Sequence, residues 1–146
     1  MFIDSRLELA DAAAIALNTT NAIAPNCNVI DLGATPTLRD LGAGEPIYLV
    51  LQVDTVFAGA GNVTFELASD STADLATSKT VHVTTGALAY TVYVAGYTKI
   101  YALPQEVTYE RYLGLWETTS GNLTGGKINA FITKDVSRYT AYNDGI

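Results

Sequence analysis

The 146-residue chain has one cysteine, one histidine, one methionine, one tryptophan and four prolines, and only 16 % of its residues are charged. Each scarcity closes a route. Cys27 alone cannot form an internal disulfide or a cysteine-based zinc site. His82 alone cannot build a histidine-rich metal centre, and it leaves a single imidazole to serve any serine or cysteine nucleophile. Positive charge is short as well: eight Lys and Arg stand against fifteen Asp and Glu, a net charge of −7. Nucleic-acid binding needs clustered cations to displace counterions from phosphates, so no nucleic-acid partner is expected. Long apolar runs are missing too. The most apolar window near the start, residues 9–17, is interrupted by Asp11 and falls short of the roughly 20 residues that span a bilayer. Asp4, Arg6 and Glu8 break the opening stretch that a secretory leader would keep apolar, so the expectation is a protein made and folded in a cytoplasm, with no membrane partner. The Asn-x-Thr triplets at Asn18, Asn62 and Asn122 are then chance occurrences in a Thr-rich chain.

What is present is apolar and β-patterned. Hydrophobic residues make up 49 % of the chain, enough for one folded domain and too many for a disordered one. The first 26 residues read as an N-terminal arm. The alanines of residues 7–17 favour a helix and Ser5-x-x-Glu8 has the form of a capping box. The absence of an amphipathic stripe equally fits an extended arm ordered against something else. From residue 28 the period is two. Strands are expected over residues 28–32, 46–57, 62–69, 79–84, 88–94, 98–103, 109–117 and 127–133, with turns at Gly33, Gly59-Ala60-Gly61, Thr85-Gly86, Gly96, Pro104 and residues 121–126. In 46–57, Ile47, Leu49, Leu51 and Val53 share one face, and Tyr48, Val50, Gln52 and Asp54 share the other. About eight short strands without helices between them describe an all-β, single-domain, jelly-roll-like β-sandwich or small barrel over residues 27–136, followed by a tail over 137–146.

Candidates for chemistry each have a plainer reading. His82 sits mid-strand between Val81 and Val83, which take the apolar face, so it is expected to point the other way as an ordinary strand-face histidine. Cys27, with no cation beside it, reads as an unreactive packing residue. Glu66, Glu110 and Glu117 could supply the carboxylate pair of a glycosidase, but solvent-facing strand residues explain them better. Asp70-Ser71-Thr72-Ala73-Asp74 offers hard oxygen ligands to a cation such as calcium, without EF-hand spacing, and reads first as a turn-forming loop. Gly42-Ala43-Gly44-Glu45 precedes a strand and carries a carboxylate, so it is no phosphate loop. No catalytic residue and no cofactor is expected. The nine tyrosines and one tryptophan are more telling. Tyr48, Tyr93, Tyr112 and Trp116 fall on the face opposite the aliphatic one, where they could form a contact surface or be covered by the chain's own arms and loops.

Asn28-Val29-Ile30-Asp31-Leu32-Gly33, Arg39-Asp40-Leu41-Gly42-Ala43-Gly44-Glu45-Pro46-Ile47-Tyr48-Leu49-Val50, Glu110-Arg111-Tyr112-Leu113-Gly114-Leu115, and Gly125-Gly126-Lys127-Ile128 through Phe131 to Asp135 resemble the small cement, or head-decoration, proteins of tailed bacteriophages, of the type first recognised in a Bordetella phage. The opening, with Asp4, Asp11 and its Ala-rich run, is similar to the start of that family. The resemblance implies a non-enzymatic, jelly-roll-like virion protein on the outer surface of the head, clamping major capsid subunits. It also implies a symmetric homo-oligomer, with a dimer favoured on general grounds and a trimer possible. Candidate capsid or oligomer contacts are Phe2, Ile3, Asp4 and Arg6 in the arm, Tyr48, Tyr112 and Trp116 on the sheet, and Tyr139 and Tyr142 in the tail. Loss of the first dozen residues should leave such a domain folded. Arg39, Asp40, Glu45 and Arg111 are expected to form an internal ion-pair set. The competing class is a carbohydrate-binding or adhesive β-sandwich of a phage tail, which would need two or three aromatics on one exposed platform.

Overall fold

A computed structural model describes residues 6–15, 17, 22–23, 27–35, 41 and 44–136. Two strands dominate it: β4 (Tyr48–Asp70) and β8 (Tyr112–Thr133), paired antiparallel from Tyr48↔Thr133 to Asp70↔Tyr112. Six short strands dress this ribbon. On the β8 side lie β1 (Glu8–Ala14), β2 (Ala22–Ile23) and β3 (Ile30–Asp31); on the β4 side lie β5 (Thr80–Thr84), β6 (Leu88–Ala89) and β7 (Thr98–Ala102). All eight strands belong to one hydrogen-bonded sheet, and every pairing is antiparallel. The all-β, single-domain expectation holds.

The ribbon is folded over on itself. Val50 and Ser69 would lie about 60 Å apart along a straight strand. Yet the Asn28 N–H, two residues before β3 at the Ser69 end, donates to Leu9 O in β1 at the Val50 end, at 2.7 Å. The short segment from Leu103, whose N–H donates to Ile47 O, to Glu110, whose N–H donates to Ser69 Oγ, also bridges both ends. Folding brings the inward rows together. Leu49, Leu51 and Val53 from one half share a single core with Phe65, Leu67, Leu113 and Leu115 from the other. The sandwich is one bent sheet.

The bend falls where turns are expected from the sequence. Gly59-Ala60-Gly61 does not reverse the chain, and neither do residues 121–126. Both stretches stay in the ladder and pair with each other, Gly59↔Leu123, Ala60↔Asn122 and Gly61↔Gly121, with register shifts nearby. The four separate strands expected at 46–57, 62–69, 109–117 and 127–133 are therefore two. The cause is steric. A Cβ on Gly61 (φ +133°) would lie 1.8 Å from Ser120 O, and one on Gly121 (φ +87°) would lie 2.5 Å from Ala60 O. Glycine lets the two backbones close tightly enough to bulge and turn the sheet together.

Two more expectations change. Residues 88–94 are not one strand: Leu88–Ala89 pairs with β4, and Tyr90–Val92 then winds into a 3₁₀ turn. The N-terminal stretch is extended where it is described. Glu8–Ala14 is an edge strand on β8, with Leu9, Ala10, Ala13 and Ile15 buried in the core. Its register shifts around Ala12, which adopts φ +44° while its N–H donates to Asn129 Oδ1 at 2.6 Å. That bulge interrupts an otherwise open edge.

Alanine at position 61 should cost about 3 kcal/mol or more, because strained φ and a backbone clash add. Alanine at Gly125, where nothing lies within 4 Å, should change stability little. Urea midpoints of the two variants provide the comparison. Removing the first dozen residues, which a loose arm would tolerate, strips Leu9 and Ala10 from the core. It should lower the melting temperature clearly, by calorimetry.

Candidate functional site

Four of the nine sequence-predicted contact residues lie among the described residues. Phe2, Ile3, Asp4, Tyr139 and Tyr142 lie outside the described residues. Arg6 is exposed and lines a shallow cleft of about 390 Å³ with Glu8, Asn28, Val29 and Asp31. Tyr48 and Tyr112 are half-buried, one in each half of the doubled ribbon, paired with Thr133 and Asp70 respectively. Trp116 is only 7 % exposed, lying under the Lys79 ammonium at 4.4 Å from its ring, and Lys79 is held by Glu66 at 2.7 Å. Tyr93 is a correction. It is fully buried, stacks on Phe57 at 4.7 Å, meets Phe65 edge-on, and donates its hydroxyl to Val63 O. The strand expected at 88–94 would have turned it outward; the 3₁₀ turn puts it in the core.

The loop between β4 and β5 explains why the outer face near Trp116 is covered. Asp70 is fully buried, and its carboxylate accepts the N–H groups of Thr72, Thr77 and Ser78 and the hydroxyls of Ser71 and Ser78. Burial opposes ionisation, but these donors outweigh it and hold the carboxyl below its ordinary value. Asp74 accepts Thr72 Oγ1 and Ala76 N–H and is lowered by them. These donors take the oxygens that a cation would need, and among the described residues no cluster of metal-ligating side chains occurs. The loop so ordered drives Leu75, at φ +53° and fully buried, down onto Gly114, where any Cβ would lie 2.8 Å from Leu75 Cδ1.

His82 also departs from its expected orientation. A register shift in β5 between Leu67↔Val83 and Ala68↔Val81 leaves Val81 exposed and Val83 against the core. His82, inside the shift, lies 2.7 Å from Ser69 Oγ through Nε2 and packs 4.3 Å from the Tyr109 ring. A serine–histidine pair of this distance is the geometry of an activated nucleophile, and sequence spacing could not show it because 13 residues and a bulge separate the two. Ser69, however, is 0 % exposed and its Oγ accepts the Glu110 N–H. Its hydroxyl can donate a hydrogen bond to neutral His82 while its oxygen anchors the segment leading into β8. Burial lowers the His82 pKa, against the pull of the Glu110 carboxylate. Glu110 accepts Thr80 Oγ1.

The other expected chemistry resolves in the same direction. Cys27 packs against the core, and burial, with Glu117 nearby, pushes its thiol up to about 12, where it is a poor nucleophile. Glu117 is buried on the inner face opposite Phe65, whereas Glu66 is tied to Lys79, so the three glutamates do not face one another across a cleft. Of the expected ion-pair set, the two described members, Glu45 and Arg111, have partners outside it. Arg111 grips Asp31 in a two-pronged pair at 2.9 and 3.0 Å and lies 4.9 Å over the Tyr112 ring, and Glu45 pairs with Lys134 at 2.7 Å. Arg39 and Asp40 lie outside the described residues.

This bent ribbon, with its flanking strands and both connecting segments, spans the stretch that matches a known family, Bbp16, over residues 9–132. The chain belongs to the Bbp16 family. Bbp16 is a Bordetella phage protein family, so the protein is phage-related. None of the curated proteins matches it. The Bbp16 match begins at Leu9 in β1 and ends at Ile132 in β8, so it takes in the edge strand that the sequence assigned to an arm.

The titrations have a definite sign. A lowered His82 stabilises fully above the ordinary histidine value near 6.5, and that contribution is withdrawn as pH falls through and below it. Lowered Asp70 and Asp74 hold their contribution until pH falls below the ordinary carboxyl value near 3.8. Stability measured against pH should therefore decline in two steps, and His82→Gln should abolish the upper one alone. Asp70→Ala should cost about 3 kcal/mol at neutral pH, by urea unfolding, because several N–H donors lose a charged acceptor together.

Proposed function

We propose that this Bbp16-family protein is a non-enzymatic structural component of a phage virion. It binds the outer surface of the head and stabilises contacts between major capsid subunits. The observation that carries the reading is the match to a phage family across residues 9–132, together with the resemblance of the Arg39–Pro46 and Glu110–Leu115 segments to head-decoration proteins. The structure supports it chemically. The single histidine binds a serine that is 0 % exposed, and the acidic loop spends its carboxylates on its own backbone. A net charge of −7 suits a surface facing away from packaged DNA.

The mechanism is linkage. A protein that binds the assembled shell and not its loosened form lowers the free energy of the former by about RT ln(1 + [L]/Kd) per site. Many copies, each adding a few kcal/mol, would oppose the outward pressure of packaged genome. Rigidity serves this role, because a face that is already shaped loses little entropy on docking. Arg6, Tyr48 and Tyr112, all accessible on the surface, are the described residues offered to the shell. The carbohydrate-binding alternative gains no support from Tyr93 and Trp116, which are buried, or from Tyr48 and Tyr112, which are half-buried and form no exposed platform.

Purified protein mixed with phage heads stripped of it should co-sediment with them through sucrose, and should raise the temperature at which they release DNA. Protein that stays at the top of the gradient, with heads no more heat-resistant than before, would overturn the reading. Binding to a glycan array in place of heads would favour the adhesive module.

A further inference from the structure

Residues 103–110, between β7 and β8, close one edge of the folded ribbon. At one end the Leu103 N–H donates to Ile47 O, and the Gln105 side chain donates to Glu45 O. At the other end the Glu110 N–H donates to Ser69 Oγ at 3.0 Å, and the Tyr109 ring packs 4.3 Å from His82. Between these anchors residues 105–108 are exposed, and Glu106 adopts φ +60°, a conformation that costs a side-chain-bearing residue energy. Exposure and strain together place such a segment among the first parts of a fold to open.

The anchor at Glu110 depends on the protonation state of one imidazole. Ser69 is 0 % exposed and has a single proton to donate. Its oxygen accepts the Glu110 N–H, and His82 Nε2 lies 2.7 Å away. While Nε2 is unprotonated the hydroxyl donates to it, so hydroxyl and amide are both satisfied. In the imidazolium both ring nitrogens are donors, so the bond reverses and the buried hydroxyl proton loses its acceptor. Among the described residues, the charge that acts on the ring is Glu110, whose carboxylate also accepts Thr80 Oγ1 from β5. Tyr109 stays neutral, its hydroxyl pushed up to about 12 by burial. On β4, the Asp70 carboxylate is taken up by the N–H groups of its own loop, and beside β5 Lys79 is held by Glu66. Burial outweighs the attraction of Glu110 and keeps the ring neutral below the ordinary histidine value near 6.5.

We propose that Ser69 and His82 form a proton-operated latch for residues 103–110. Neutral His82 holds the segment closed across the ribbon, and protonation releases its Glu110 end while β4 and β8 stay paired. His82 is half-buried, so water can deliver the proton without prior unfolding. Release withdraws Tyr109, 6 % exposed when closed, from the core. It also opens the cavity of about 280 Å³ that Pro104, Gln105, Val107 and Tyr109 form with Leu41 and Gly44. The direction follows from linkage. In the open form His82 takes a proton at its ordinary value near 6.5, and in the closed form only at lower pH. Opening therefore gains up to about tenfold for each pH unit below that value, until the closed ring itself titrates. Acid should loosen one edge of the domain before it unfolds the ribbon.

Amide exchange followed by NMR on the full chain, from about pH 7.5 to about pH 5 and corrected for intrinsic rates, tests it. The Glu110 amide should open severalfold more often for each pH unit below about 6.5, and at most about tenfold. Urea up to about 1 M should leave its rate unchanged, because local opening exposes little surface. Amides of the β4–β8 ladder should be slower at every pH and should accelerate with urea. His82→Gln keeps a side chain that can accept from Ser69 and cannot titrate, so it should hold the Glu110 amide at its neutral-pH rate throughout. Ser69→Ala should leave that amide fast at every pH. In the unsubstituted protein, the Glu110 amide shift and the His82 Cε1 proton shift should move with one midpoint. A Glu110 amide that follows the ladder in both pH and urea, or ignores pH, overturns the proposal. So does an acid response that survives in His82→Gln, or a pair of different midpoints. The measurement uses no phage heads, so its failure is separate from failure of the shell-binding reading.

Discussion

The close approach of β4 and β8 at Gly59, Gly61 and Gly121 is the constraint on which the rest of the molecule depends. Two strands of more than 20 residues would otherwise form an open ribbon with apolar faces in water. At the bend the backbones come so near that no side chain fits between them, and positive φ at the same positions lets the ladder shift register without ending. The sheet doubles over, and its two inward rows become each other's solvent shield. Burial of Leu49, Leu51, Val53, Phe65, Leu67, Leu113 and Leu115 follows from that one geometric event.

Everything outside the ribbon serves to keep it closed. β1 and the segment around Asn28 join the two ends on one edge, and the segment 103–110 joins them on the other. Ser69 and His82 secure that second link, and Tyr109 packs against them with its hydroxyl on Pro104 O. The Asp70 loop presses Leu75 over Gly114 on the outer face. Groups that look like chemistry in the sequence thus also hold the fold closed. Ser69 is fully buried, and its oxygen accepts the Glu110 N–H.

Charge is distributed unevenly over this body. The charged residues and the half-buried Tyr48 and Tyr112 lie away from the bend, where residues 55–62 and 118–126 carry no charge.

Alternation of residues at period two was enough to determine an all-β domain, the inward identity of Leu49, Leu51, Val53, Val63, Phe65 and Leu67, and the acidic character of the whole. The motifs resembled head-decoration proteins of a Bordetella-phage type, and the Bbp16 match shows the phage relation. Those features are local, since a side chain's face in a strand is set by its neighbours one and two residues away. What only the tertiary structure decided was long-range. Gly-rich stretches can end a strand or bend it, and Gly59-Ala60-Gly61 bends because residues 120–123 lie against it, some 60 positions later. Ala-rich residues 8–14 can be helix or strand, and β8 offers them an edge. Tyr93 turns inward because a 3₁₀ turn follows Ala89, and Trp116 is covered because Asp70 folds a distant loop across it. Backbone partners remote in sequence carry no signal in any short window, so the fold alone could supply them.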